Sequence, residues 1–466
     1  MHHQIIFKDV SYFLKQNLFS IILVGLGAGM YLSFAYDLQR TDSVKLLSLY
    51  TALFFVFYKL LQTFKHNFRF LVVLAILFRI LFLFAIPNLS QDFYRFIWDG
   101  RLLLAGFNPY LYTPDSFISA SQFPIAQAQE LYDGMGALSA GHYTNYPPIK
   151  QTIFAVAGWF SGNSILGAIF VFRLCIIIAD IGTVYLGKKL LESFKLPTYY
   201  IFLYVLNPFV IIELTGNLHF EGIMIFFFVW SLYLLNQGKW KLAGAIFAIS
   251  VSVKLIPLLF LPLFFKFFIP KFKKPSDYFG AEMLKLITFY GIILLCTLLL
   301  FAPFFSMELL TNYASTVGLW FNNFEFNASI YYLAREIGYQ ITGYNQIAVI
   351  GKLIPVISIL ALLLLIFFRP NQTIKQLIPS MLLALSFYFF MSTTVHPWYI
   401  ATLLILSVFT HYRFPLVWSF MIILSYLAYN HAENQENFWI LSLEYLIVYG
   451  VFVWEVFIKR SRLKTN

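Results

Sequence analysis

KWKLAGAIFAISVSVKLIPLLFLPLFFKFF, residues 239–268, is apolar throughout except for lysines near its two ends and one, Lys254, in its middle. As one helix it would carry a charge through the centre of a bilayer. As two short helices it returns both basic ends to one side and leaves Lys254 at the turn. Lys and Arg gather in cytoplasmic loops, and Pro257 and Pro262 are natural break points, so the broken pair is the preferred reading. A charge at the tip still needs solvent or a partner.

The rest of the chain has the same character. It has 466 residues, 60% of them hydrophobic and 11% charged, where a soluble domain averages ~25% charged. NLFSIILVGLGAGMYLSFAY (17–36) and MLKLITFYGIILLCTLLLFAPFF (283–305) meet the ~20 apolar residues that a membrane crossing needs. Spans are expected at 18–36, 44–61, 68–87, 164–187, 198–214, 222–236, 241–253, 255–269, 282–304, 346–368, 376–393, 398–412, 414–430 and 438–458. The fold class is an all-α polytopic membrane protein, a bundle of about 12–14 transmembrane helices. A barrel would show short alternating strands instead. No cleavable leader pattern precedes the first span. Cys175 and Cys296 lie inside apolar runs, as small buried hydrophobes do.

The charge of +11 reads as topology and not as a nucleic-acid footprint. Lys8 and Lys15, Lys59/Lys65/Arg69, Lys188/Lys189/Lys195, Lys239/Lys241, Lys266/Lys271/Lys273/Lys274, Arg369/Lys375, Arg413 and the tail KRSRLK (459–464) all fall on one side. That side is the cytoplasm, and both termini lie there. The opposite face carries two long loops, 88–163 and 305–345; loops of such length tend to be functional. The patch IKQTIFAVAGWF (149–160) is too short to span and suits the membrane surface. Residues 1–466 read as a single membrane-embedded unit in a bacterial-type plasma membrane, with its working face extracytoplasmic.

Chemistry-bearing residues collect at the outer helix ends. In QDFYRFIWDGRLLLAGFNPY (91–110), helical spacing puts Asp92, Arg95 and Asp99 on one face and turns Arg101 away; Asn108 follows. NYPPIKQ (145–151) offers Tyr146 and Lys150 beside two prolines that stop a preceding helix. NPFVIIELTGNLHFEG (207–222) carries Asn217, His219 and Glu221, with Glu213 two turns back. WFNNFEFNASIYYLAREIG (320–338) supplies Glu325, Asn327 and Arg335 among aromatics, and HPWY (396–399) supplies His396 and Trp398. Each has a plain alternative: snorkelling charges, a polar helix cap, an interfacial aromatic belt. His219 and Glu221 are too few to make a metal site, so no metal ligand is assigned and a divalent cation is not predicted. Together these groups resemble a site for a lipid-borne polar substrate.

The order of these motifs, with SVSVKLIPLLFLP between them, resembles the GT-C superfamily of membrane glycosyltransferases. The nearest likeness is to bacterial polyprenol-phosphate-mannose-dependent mannosyltransferases, over residues 91 to 399. The resemblance implies a GT-C-like bundle, an active site facing away from the cytoplasm, and a polyprenyl-phosphate-linked sugar donor. It makes Asp92 the catalytic base. Some relatives carry two acids here, whereas Gln91 precedes Asp92 and Tyr94 takes the second slot, which argues against a metal-binding pair. A carboxylate suits proton removal from an acceptor hydroxyl, and Lys150, Lys254, Arg95 and Arg335 are the candidate cations for the leaving phosphate. The expected reaction is inverting transfer of a hexose, mannose being the family's commonest, to a glycan or glycolipid hydroxyl. The alternative is a transporter or flippase, for which the deep charges Arg79, Arg173 and Asp180 could line a conduit.

Overall fold

A computed structural model of the chain describes residues 2–270, 280–322, 324–430 and 435–459. Lys271, Lys273, Lys274 and the basic tail from Arg460 to Lys464 lie outside the described residues. Every regular element among the described residues is helical, and the extended pairing there is one isolated bridge, Phe326 with Thr394.

Among the described residues, seven helices are long and apolar enough to cross a membrane: Leu18–Tyr36, Ser43–Phe64, Ile165–Ser193, Ala281–Phe304, Ile347–Phe368, Ile374–Met391 and Phe438–Ile458. An eighth crossing is a pair, Thr198–Val205 and Pro208–Gly216, bent by 49°. Pro208 cannot donate to the preceding turn, and the Asn207 side chain takes the Phe209 N–H instead, at 2.9 Å. The other expected spans are shorter helices: Phe68–Ile80, Glu221–Asn236, Trp240–Val253, Ile256–Phe268, Pro397–Val408 and Phe414–Tyr429. For Pro397–Val408 the surroundings explain the short length. All nine residues of Ile400–Val408 are buried, and a helix wrapped in protein need not match the hydrocarbon thickness.

Residues 239–268 form a hairpin. The first arm ends at Val253, Lys254 is extended (φ −157°, ψ 141°), and a 3-10 helix follows over Ile256–Phe264. Ring contacts of Trp240 with Phe268 (6.3 Å) and Phe247 with Phe264 (5.8 Å) show the arms antiparallel. The break falls at Lys254–Leu255, ahead of Pro257, while Pro262 sits inside the second arm.

The basic connections meet at one end of the bundle. Lys188 lies over Phe68 (4.9 Å) and Arg413 over Tyr200 (4.8 Å). Lys375 donates to the Phe194 carbonyl and Lys266 to that of Phe367. The other connections meet at the opposite end: Asn88 donates to the carbonyls of Phe34 and Leu38, Asn108 to that of Phe304, and Ile149 N–H to the Ser252 hydroxyl.

The first long loop is built on two crossing helices, Asp92–Leu104 and Pro148–Ser161. They approach so closely that a Cβ on Gly100 would lie 2.2 Å from the Phe154 carbonyl oxygen. Trp159 and Phe160 project outward, each 75% exposed. The deep charges have structural partners. Arg79 Nε donates to Asp180 Oδ2 at 2.7 Å, joining the Phe68–Ile80 and Ile165–Ser193 helices. Arg173 donates to the carbonyls of Thr215 and Gly216, a cation on the C-terminal carbonyls of the bent span, where the helix dipole favours it.

Candidate active site

Asp92 opens its helix at the end of the bundle away from the basic loops. The segment before it is held by Asn217, whose Oδ1 accepts the Leu89 N–H (3.1 Å). Asp92 is half-buried, and no hydrogen bond or ion pair engages its carboxylate among the described residues. Burial raises its pKa; Lys150, Lys254 and Arg40 oppose the shift and Glu221 adds to it. The base candidate therefore faces two lysines from separate elements.

Pro147 and Pro148 start the helix that carries Lys150. Its ammonium is ringed by Tyr146 (4.0 Å), Phe96 (4.6 Å), Phe220 (5.3 Å) and Phe154 (5.8 Å). The rings stabilise a cation through their faces without neutralising it, and no carboxylate lies within ion-pair reach among the described residues. Burial lowers the Lys150 pKa to about 8, with Lys254 adding to that shift against Glu221 and Asp92. Lys254 arrives from the hairpin tip, pairs with Glu221 and lies 4.2 Å over the Tyr399 ring. The Ser252–Ile149 hydrogen bond fastens that tip to the first turn of the Lys150 helix.

Beside the charges stands a column of flat rings. His219 stacks on Trp398 (3.7 Å, 18°), Trp398 on His396 (4.6 Å, 4°) and His396 on Phe326 (5.4 Å, 29°). Burial, then Lys254, holds His219 far below the usual histidine range and His396 at about 3. Both imidazoles are thus neutral near pH 7. Glu213 Oε2 lies 3.6 Å from His219 Nε2, and the Tyr426 hydroxyl donates to Glu213.

Asp92, Lys150, Glu221, Lys254, Tyr146, His219, His396 and Trp398 thus come together, with Asn217 behind them. Other residues singled out in the sequence have different engagements. Arg95 and Asp99 are paired at 2.8 Å and fully buried; Arg95 also holds the carbonyls of Ser139 and His142, and Gln151 donates to Asp99. They staple the first loop and do not share Asp92's opening. Arg101 turns to the Ala126 carbonyl and Gln127. Asn108 clamps residue 304. Glu325 and Arg335 pair with each other, and Tyr331 and Asn345 also bond Glu325; Asn327 faces Glu444. These three belong to a separate cluster in the second loop. Sequence reasoning missed Arg40, which lies 3.1 Å over Tyr429 and whose charge reaches Asp92. Its signal was available: an arginine on the face where basic residues are scarce. No group of three His, Cys, Asp or Glu side chains converges on a metal position among the described residues.

Fold and site define a polytopic helical membrane protein with a charged, aromatic-walled site at one end of its bundle. The chain belongs to the family described as alpha-(1->6)-mannopyranosyltransferase, N-terminal domain, whose model matches residues 31–269. The match takes in Asp92, Lys150, Glu221 and Lys254 and ends before His396. Among similar curated proteins is alpha-(1->6)-mannopyranosyltransferase A of Mycobacterium tuberculosis, 25% identical over 175 residues, which are 37% of this chain and 32% of that protein. The protein of the same name from Corynebacterium glutamicum is 23% identical over 181 residues, 39% of this chain and 35% of that one. The aligned segments span about a third of the length of these curated relatives.

Proposed function

We propose that this protein is a mannosyltransferase that moves mannose from a polyprenyl-phosphate donor to a hydroxyl of a lipid-linked or other extracytoplasmic glycan. Asp92 takes the acceptor hydroxyl proton as the oxygen attacks the anomeric carbon. The carbon passes through an oxocarbenium-like state, and the bond to the phosphate oxygen breaks with its electron pair going to the leaving polyprenyl phosphate. Lys150 stabilises that charge, Lys254 assists after exchanging Glu221 for phosphate, and Arg40 adds to the local positive field. A β-linked donor displaced once gives an α-glycoside; the names of the relatives specify an alpha-(1->6) bond. The stacked Trp398 and imidazoles offer a flat wall for a sugar ring. The site faces away from the cytoplasm, and both termini lie on the cytoplasmic side.

One observation carries this reading: Asp92, a carboxylate with no partner among the described residues, faces Lys150, an ammonium with no anion among them. Base and leaving-group cation stand ready on two helices packed against each other. The test is transfer of labelled mannose from polyprenyl-phosphate-mannose to membrane acceptors by wild type and Asp92→Asn at matched folded protein. A loss of about 10²–10⁴-fold is expected for a positioned general base. Transfer that survives the substitution would remove Asp92 from the role. Transfer by the wild type from other lipid-linked sugars only would replace the donor.

A further inference from the structure

Where the second long loop meets the last helix, a small cavity is lined by Asn327, Ser425, Glu436, Asn437 and Glu444 with apolar neighbours. It has room for about one water-sized particle and is too narrow for a sugar ring. Glu444 is fully buried. Its Oε1 accepts from Asn327 Nδ2 (3.2 Å) and Trp418 Nε1 (3.1 Å), while its Oε2, like the Asn327 Oδ1, has no partner among the described residues. Because the Asn327 amide must turn its NH2 to the carboxylate, its Oδ1 is left over.

Asn327 is held in this pose from every side. Its backbone is left-handed (φ 47°), a conformation asparagine tolerates. Its N–H donates to Glu436 Oε1 (2.7 Å), and its carbonyl accepts from Tyr445. Two carboxylates therefore converge on one asparagine; the Tyr332 hydroxyl donates to the other oxygen of Glu436, and each of these donors is neutral. Neither forms an ion pair with Lys, Arg or His among the described residues. Glu436 is half-buried and has the Arg335 charge near it, but Glu444 is fully buried; holding its charge there without an ion pair is costly, and a donor set made only of oxygen suits a hard cation.

We propose that Glu444, Glu436 and the Asn327 side-chain oxygen hold a single hard metal cation in this cavity. The cation ties the second loop to the last helix. It also fixes Phe326, the neighbour of Asn327, against His396 in the ring column. The site is separate from Asp92, and the cation takes no part in the proposed chemical step.

The test is thermal unfolding of the full chain in detergent, stripped of ions and titrated with Mg2+, Ca2+ or Na+ at constant ionic strength. Binding to the folded state raises Tm with the logarithm of cation concentration above Kd. Such a rise is expected for at least one of the three ions, and the ion that acts identifies the charge accepted. Glu436→Gln and Glu444→Gln should each abolish the dependence, and Asp92→Asn should keep it. If Glu444→Gln does not fold, Glu436→Gln at the loop side carries the comparison. A Tm indifferent to all three ions overturns the proposal, as does a dependence that survives in the glutamine variants. Wild type indifferent to ions and Glu444→Gln equally stable would mean a protonated carboxyl and a water instead.

Discussion

Lys150 makes the proposed phosphate contact testable by pH. Its ammonium is held by ring faces and not by an anion, and burial lowers its pKa to about 8. The charged form exists below that value, so about nine-tenths of the free protein carries the charge at pH 7 and about one-tenth at pH 9. If the charge binds the donor phosphate, kcat/KM for the donor should fall about tenfold from pH 7 to pH 9. The limb belongs to kcat/KM, which reports the free enzyme. Bound phosphate pairs with the ammonium and raises its pKa, so kcat should hold to a higher pH. Initial rates at subsaturating and saturating polyprenyl-phosphate-mannose separate the two. Lys150→Arg, charged throughout, should lose the alkaline limb, and Lys150→Met should lose both limb and donor affinity. A limb near pH 8 that persists in Lys150→Arg, or a wild-type profile flat to pH 10, would refute the reasoning.

Two further expectations concern the frame around the site. Asp180→Asn leaves the Arg79 charge buried without its counter-ion, a loss of about 3–5 kcal/mol, and thermal unfolding in detergent should show a large fall in Tm. Arg79→Met with Asp180→Leu should recover most of it, because a buried pair replaced by apolar residues is often neutral. Gly100→Ala pushes a Cβ into the Phe154 backbone and should cost about 1–3 kcal/mol or more through overpacking, with folded yield and transfer falling together. Gly29→Ala, which meets nothing within 4 Å, is the control and should fold normally by size-exclusion chromatography.

The membrane class and the two long loops were legible because apolar run length and the placement of Lys and Arg are local properties. So was the hairpin at 239–268, since basic residues at both ends fixed its direction. The convergence of Asp92, Lys150, Glu221 and Lys254 was legible only as residue types at helix ends away from the basic loops. What joins them, the Ser252–Ile149 hydrogen bond and the cage around Lys150, depends on contacts far apart in the chain. Arg95 and Asp99 misled because helical spacing shows a shared face but not what covers it; residues 139–151 close over them. The stacking of His219 on Trp398 left no local mark. Helix length was overestimated at 68–87 and 398–412, where the helices end at Ile80 and Val408, while 222–236 and 241–253 agree to within a residue.

The first arm of the Lys254 hairpin has 14 residues, which at 1.5 Å each is about 21 Å. The hydrocarbon slab is ~30 Å deep. An arm that starts at one hydrocarbon boundary therefore ends roughly 9 Å short of the opposite one. If the donor is the polyprenyl phosphate proposed above, its phosphate must sink below the plane of its neighbours to meet Lys254, drawing the prenyl chain sideways between the helices. A thicker membrane lengthens that descent and a thinner one shortens it. Turnover should then vary with the acyl-chain length of the surrounding lipid, through a depth set by one truncated helix.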